Sequence, residues 1–198
     1  LLGIINDVLD ISKMESGKID VTNEIFLFET FIEHIVELFS VATKEKKIKF
    51  IYNPESVLPY SLISDSTRLQ QLLSNLLSNA IKFTPQNGEI IFSIKVIDIF
   101  EDNVKIYFLI KDNGIGMTSE QQKVIFNPFS QADDGISRKY GGTGLGLSIC
   151  SDIIKLMNSE IELKSTLNEG SEFSFTIDFK VDKFKNEQKI VDENLKIL

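Results

Sequence analysis

Asn75, Asn79 and Lys82 stand at i, i+4 and i+7 in NLLSNAIK. On a helix, at about 100° per residue, the three side chains share one narrow sector. Asparagine is a poor interior helix former. Two of them a turn apart make either a solvated polar face or a set of amide oxygens and an ammonium for a polyanion and its cation. Mg²⁺ keeps most of its waters, so one Asn carbonyl together with phosphates can hold it. A second stretch, Asp112-Asn113-Gly114-Ile115-Gly116, follows the alternating Val104, Ile106, Phe108 and Ile110. Asp112 continues that parity, which aims a carboxylate at the apolar side of a sheet where a strand ends. Asp-Asn-Gly is also ordinary turn chemistry. The alternative is an acceptor for a donor such as an adenine amino group, with Gly114 and Gly116 letting backbone approach the ring. A third stretch, GGTGLGL at 141–147, opens a helix. Its bare N–H groups and the positive dipole end suit an anion, although a flexible hinge has the same composition. It lacks the lysine of a Walker A loop and the spacing of GxGxxG. Arg138 and Lys139 just upstream are either phosphate contacts or solvated charges.

These stretches need elements to hold them. Apolar residues at 1, 4, 5, 8, 9 and 11 predict a leading helix to about Glu15, and the absence of an N-cap marks it as the cut end of a longer one. A strand is expected over Asp20–Phe26 and a helix from Phe28 to about Lys46. Strands follow at Lys47–Tyr52 and Tyr60–Ile63. Ser64-Asp65-Ser66 caps a helix to about Phe83, with Leu69, Leu72, Leu73, Leu76, Leu77, Ala80 and Ile81 as its core stripe. Strands at Glu89–Ile99 and Val104–Lys111 hinge at Glu101-Asp102-Asn103. An irregular stretch covers Asn127–Gly142, a helix Ser148–Met157, and a hairpin Ile161–Thr166 with Glu172–Phe179. Helices interspersed among antiparallel-looking strands predict an α+β fold, a two-layer sandwich with three helices on one face of the sheet.

With 198 residues, 42% of them hydrophobic, the chain can bury a core without staples. Its 21 basic and 29 acidic residues leave a net charge of −8, which argues against nucleic acid as a partner. One cysteine and one histidine make an internal disulfide impossible and a zinc cluster unexpected. No apolar run reaches the roughly 18 residues of a membrane span, and the start does not read as a signal peptide. The expected compartment is reducing and cytosol-like.

The order of these stretches resembles the catalytic and ATP-binding domain of sensor histidine kinases, within the GHKL superfamily. NLLSNAIKFT at 75–84 resembles its N box, DNGIGM at 112–117 its first glycine box, FNPF at 126–129 its F box and GGTGLGL its second glycine box. NEGSEFSFTI at 168–177 resembles its closing hairpin, and LLGIINDVLDISKMESGKI the end of the second helix of the dimerisation and histidine-phosphotransfer hairpin. The style is that of hybrid kinases. The resemblance implies a mixed, mostly antiparallel sheet under three helices (the Bergerat fold), preceded by a partial helix. It implies three parts: 1–17 from the hairpin, 18–180 as the ATP-binding domain and 181–198 as a linker or tail. Asn79 would bring the Mg²⁺ ligand, Asn75 would assist metal and phosphates, and both would serve catalysis. Lys82 would meet phosphate oxygens and Asp112 the adenine amino group, with Gly114 and Gly116 shaping the base pocket. Phe126, Arg138, Lys139, Gly142, Thr143, Gly144, Leu145, Gly146 and Leu147 would belong to the nucleotide-binding F box, lid and second glycine box. The implied cofactors are ATP and Mg²⁺. The implied partners are the phosphoacceptor hairpin, a response-regulator receiver domain and, in the parent, a second copy in a homodimer. The domain would be cytoplasmic, whether or not its parent is anchored to a membrane.

The family's phosphoacceptor histidine lies on the first helix of that hairpin, which this sequence does not contain. His34, in FIEHIVELF, has no H-box residues around it and reads as an ordinary helix histidine. The fragment alone is therefore expected to bind nucleotide without phosphorylating itself. The ATP-hydrolysing relatives that resemble gyrase B place a glutamate base one turn before the metal asparagine. Asn75 stands there instead and cannot take a proton from water. A regulatory or dimerisation module that binds nucleotide without turnover is the other reading. Cys150 reads as a small buried helix residue.

Overall fold

A computed structural model of the chain describes residues 22–55, 61–130 and 144–182. The expected leading helix, most of the irregular stretch from Asn127, and the tail from residue 183 lie outside the described residues, as do Arg138, Lys139, Gly142 and Thr143. In chain order the elements are β1 (Glu24–Leu27), α1 (Phe28–Glu45), β2 (Lys49–Pro54), β3 (Ser61–Ser64), α2 (Ser66–Phe83), β4 (Glu89–Phe100), β5 (Asn103–Asp112), α3 (Ser119–Val124), α4 (Gly146–Leu156), β6 (Ile161–Thr166) and β7 (Gly170–Val181).

The strands form one sheet in the order β1-β3-β7-β5-β4-β2, with β6 also paired to β7. Strands β5 and β7 sit at its centre, matched from Asn103 opposite Lys180 to Asp112 opposite Ser171. Their alternation places Val104, Ile106, Phe108 and Ile110 on the same side as Phe173, Phe175, Ile177 and Phe179, all buried. Phe108 and Phe175 face each other in that register and stack at 4.9 Å. Three helices cover this side. Helix α1 buries Phe28, Ile32, Ile35 and Phe39, α2 its leucine stripe, and α4 Ile149, Cys150, Ile153 and Ile154. A fully buried Leu or Ile contributes about 1.5–3 kcal/mol, so the shared core, more than helix propensity, holds these helices in place.

The expected α+β sandwich, a mixed and mostly antiparallel sheet under three helices, is what forms, and several details differ from the element-by-element reading. Strand β2 pairs with β4 in parallel, from Lys49 opposite Glu89 to Pro54 opposite Ile94, because β3 and α2 intervene as a crossover. The first strand is Glu24–Leu27; Thr22 and Asn23 are not part of it, and the expected start at Asp20 lies outside the described residues. Helix α3 was not expected; a capping box, with Thr118 accepting from the Gln121 N–H and Gln121 from the Thr118 N–H, starts it. Helix α4 begins at Gly146, two residues before the expected Ser148. Asp65 caps α2 as expected, accepting the Arg68 N–H at 2.9 Å, and it also holds the Thr22 N–H at 3.0 Å. Among the described residues no helix is long and apolar enough to cross a membrane.

Candidate functional site

Asp112 is the last residue of β5, flanked by Ile90 of β4 and Ser171 of β7. Only 6% of its surface is exposed. Burial pushes its carboxyl above the usual aspartate range, and the backbone N–H groups of Gly114 and Ser171 pull it partly back. The Gly114 N–H is 2.8 Å from Oδ1. A carboxylate has about four lone-pair positions, so the group can still accept from a ligand.

The glycines after Asp112 answer to the chain itself. A Cβ on Gly114 would lie 2.5 Å from the Phe83 carbonyl oxygen, and one on Gly116, whose φ is +60°, 1.9 Å from the Thr166 carbonyl oxygen. The expectation that they merely open space for a ring is therefore incomplete: both are where the loop packs backbone to backbone against α2 and the β6–β7 turn. The loop is tied down further, with the Ile115 N–H on the Phe83 carbonyl, the Asn168 N–H on the Ile115 carbonyl, and Asn113 exchanging bonds with Glu89.

The other end of the site lies on α2 and α4. Asn75 and Gly146, 71 residues apart in sequence, meet where Asn75 Nδ2 donates to the Gly146 carbonyl at 3.3 Å. Asn75 also hydrogen-bonds the buried Cys150 thiol, whose pKa burial nevertheless pushes up to about 12. Helix α4 starts without a side-chain cap and without an acidic residue in its first turn, so its first N–H groups and positive dipole end suit an anion. Leu145 is buried, whereas Gly144, Gly146 and Leu147 are half-buried around this start. Asn79 and Lys82, both half-buried, continue the Asn75 sector along α2. Burial lowers the pKa of Lys82, whose ammonium lies 4.8 Å from the Phe83 ring centroid. Phe126 packs against the core edge after α3. Phe83, which touches the Asp112 loop, and Asn75 are eight residues apart, about 12 Å along the helix axis. One helix thus carries both ends of the site.

Sequence reasoning missed three residues that shape it. Gly170 passes so close to Asp112 that a Cβ would sit 1.9 Å from the Asp112 carbonyl oxygen; its pairing with a turn asparagine gave only a hairpin signal. Gln122 donates to the Met117 and Ser165 carbonyls, tying α3 to β6. Lys46 donates to the carbonyls of Ile81, Lys82 and Thr84 at the end of α2, a contact between distant segments that local pattern cannot show.

Residues 64–181 match the family described as histidine kinase-, DNA gyrase B- and HSP90-like ATPases, and the chain belongs to that family. Within it, the chain is an ATP-binding catalytic domain of the sensor histidine kinase kind. It is 39% identical over 181 residues to hybrid signal transduction histidine kinase L of Dictyostelium discoideum, covering 91% of this chain and 10% of that protein. It is 40% identical over 177 residues to the signal transduction histidine-protein kinase BarA of Escherichia coli K12, covering 89% of this chain and 19% of BarA. Full-length ShkA, solved in complex with AMPPNP, superimposes with a TM-score of 0.76 at 29% identity over 91% of this chain and 36% of ShkA. The chain thus spans about a tenth to a fifth of the length of these curated relatives.

Proposed function

We propose that this domain binds Mg·ATP between the β5 end and the start of α4 and passes its γ-phosphoryl to a histidine on the dimerisation hairpin of its parent. The observation that carries the reading is that Asn75 of the N box and Gly146 of the second glycine box meet at the uncapped start of α4, while Asp112 lies buried beyond the other end of the same helical face. Such an arrangement suits a ligand with a base at one end and a polyphosphate at the other.

Among the described residues no group of three His, Cys, Asp or Glu side chains could hold a metal alone. The donors on α2 are neutral amide oxygens, which fit a cation that arrives with phosphates and keeps its waters. Asn79, with Asn75 beside it, would hold Mg²⁺, which when bound neutralises phosphate charge. Asp112 accepts from the adenine amino group. Lys82 leaves the Phe83 ring to meet phosphate oxygens, and the first N–H groups of α4 take the chain's negative charge. Arg138, Lys139, Gly142 and Thr143 belong to the lid in this reading. Positioning and charge neutralisation then do most of the work, as in other phosphoryl transfers, and a neutral imidazole attacks in line. His34 is exposed on α1 and lacks H-box surroundings, so it is not the acceptor. The hybrid character of the relatives supports a receiver domain as the next recipient, with a homodimeric parent and a cytoplasmic position for this domain, where ATP is found.

Calorimetric titration of ATP with and without Mg²⁺, on the native chain and on Asp112→Ala, tests the reading. Saturable binding that Asp112→Ala weakens about 10- to 100-fold is expected. Absence of binding by the native chain would sink it in favour of a module without nucleotide.

A further inference from the structure

We infer that Lys46 is a positioning residue for the adenine end of the site: by holding the last turn of α2, it sets where the Gly114–Ile115 segment stands. This inference rests on the nucleotide-binding reading above. The last carbonyls of a helix have no partner within it, and Pro85 prevents α2 from continuing. The four carbonyls from residue 81 to 84 are shared out in a definite way. Those of Ile81, Lys82 and Thr84 accept from the Lys46 ammonium, the latter two at 2.9 and 2.8 Å. The ammonium has three N–H donors, and these carbonyls account for all of them. The remaining carbonyl, that of Phe83, accepts the Ile115 N–H and lies against Gly114. The peptide units on either side of Phe83 therefore serve both the clamp and the loop. The Lys82 and Thr84 carbonyls flank the Phe83 carbonyl along the chain, so a shift of this last turn that draws them off Lys46 also displaces the carbonyl that holds Ile115.

Lys46 is itself well placed to act as an anchor. It is the C-cap of α1, its N–H on the Ala42 carbonyl, and Lys47 turns the chain with φ +58°. The turn it heads is bonded to the turn after α2, with the Asn87 N–H on the Lys47 carbonyl and the Lys49 N–H on the Gly88 carbonyl, each at 2.8 Å. The ammonium is thus the third tie between two turns, and the only one of the three that is a side chain. Its positive charge also sits at the negative end of the α2 dipole.

The test compares the native chain with Lys46→Met, which keeps the stem and removes the donors, and Lys46→Arg, which restores donors and charge. ADP affinity is measured by calorimetry, amide hydrogen exchange at Ile115 and Phe108 by NMR without nucleotide, and Tm by thermal unfolding. Ile35→Val supplies a core variant that lowers stability away from the clamp. Lys46→Met is expected to weaken ADP about tenfold and to speed exchange at Ile115 more than at Phe108. Lys46→Arg should recover most of both, and Ile35→Val should lower Tm without changing ADP affinity. If Lys46→Met lowers Tm but binds ADP like the native chain, or if Ile115 exchange only tracks Phe108, Lys46 is a stability tie and the inference is overturned. Where Lys46→Met does not fold, Lys46→Gln takes its place under the same criteria. Failure of the native chain to bind ADP would overturn the nucleotide reading, and the exchange comparison would still decide whether Lys46 holds the loop.

Discussion

The two ends of the site are built differently. At the Asp112 end, the polar groups are already engaged by the chain: Gly114 and Ser171 N–H groups on the carboxylate, Ile115 on Phe83, Asn168 on Ile115. Backbone meets backbone there at distances that leave no room for a side chain. At the α2–α4 end, the working groups are side chains on helix surfaces and N–H groups of an uncapped helix start, and Lys82 rests on a ring. The first end is organised before a ligand arrives, so little ordering remains to be done on binding. The second gathers around charge when it is supplied. A base, which has a fixed outline, suits the former, and a flexible polyphosphate the latter.

The sharpest way to break the contrast is to put a methyl group into the rigid end. Gly116→Ala places a Cβ against the Thr166 carbonyl at a positive φ, and is expected to cost about 3 kcal/mol or more of stability in chemical unfolding. Asp112→Ala comes next: loss of a charged acceptor should weaken ATP about 10- to 100-fold, with far-ultraviolet circular dichroism unchanged.

Acidity separates the ends further. The folded-state pKa of Asp112 is raised, chiefly by burial. Protonation therefore favours the fold: this group's stabilising contribution is complete below the unfolded aspartate pKa and is lost as pH rises through the folded one. Ligand binding runs the opposite way, since a protonated carboxyl accepts less well. Adenosine nucleotide affinity should accordingly fall on acidification at a pH above that of an ordinary aspartate. Asp112→Asn should remove that limb of a calorimetric pH profile; an unchanged profile would place the titration elsewhere.

The smallest effect belongs to the adaptable end. Lys82→Met should weaken ATP only several-fold, equivalent to about 1 kcal/mol, and added salt should shrink the difference in a titration series. A larger, salt-independent loss would mean that Lys82 is fixed in place before binding, like Asp112.

How far the sequence reveals each end follows from the same contrast. The alternation ending in Asp112 and the leucine stripe that leaves Asn75, Asn79 and Lys82 on one sector are periodic, and periodicity survives in one dimension. The α2 cap at Asp65 was legible because a capping side chain stands beside the helix it starts. The parallel direction of β2 was not, because alternation looks alike in either direction. Nor was the work done by Gly116 and Gly170, whose partners Thr166 and Asp112 are brought up by pairing between distant segments. Lys46 is one of several lysines around the α1–β2 turn, and only the folded chain shows which of them reaches the end of α2. The backbone contacts that keep the Asp112 end in shape carry no local signature.

The bond from Thr22 to Asp65 has a mechanical meaning. Thr22 is tied to the start of α2, and after β7 the Val181 and Asp182 N–H groups bond to Asp102 and Ser61. Both sets of bonds thus lie at the end of the sheet opposite Asp112. Helix α2, about 27 Å long by its 18 residues, separates them from the Asp112 end. A rotation of about 10° about the opposite end would carry the Asp112 end through an arc of about 5 Å, given the helix rise.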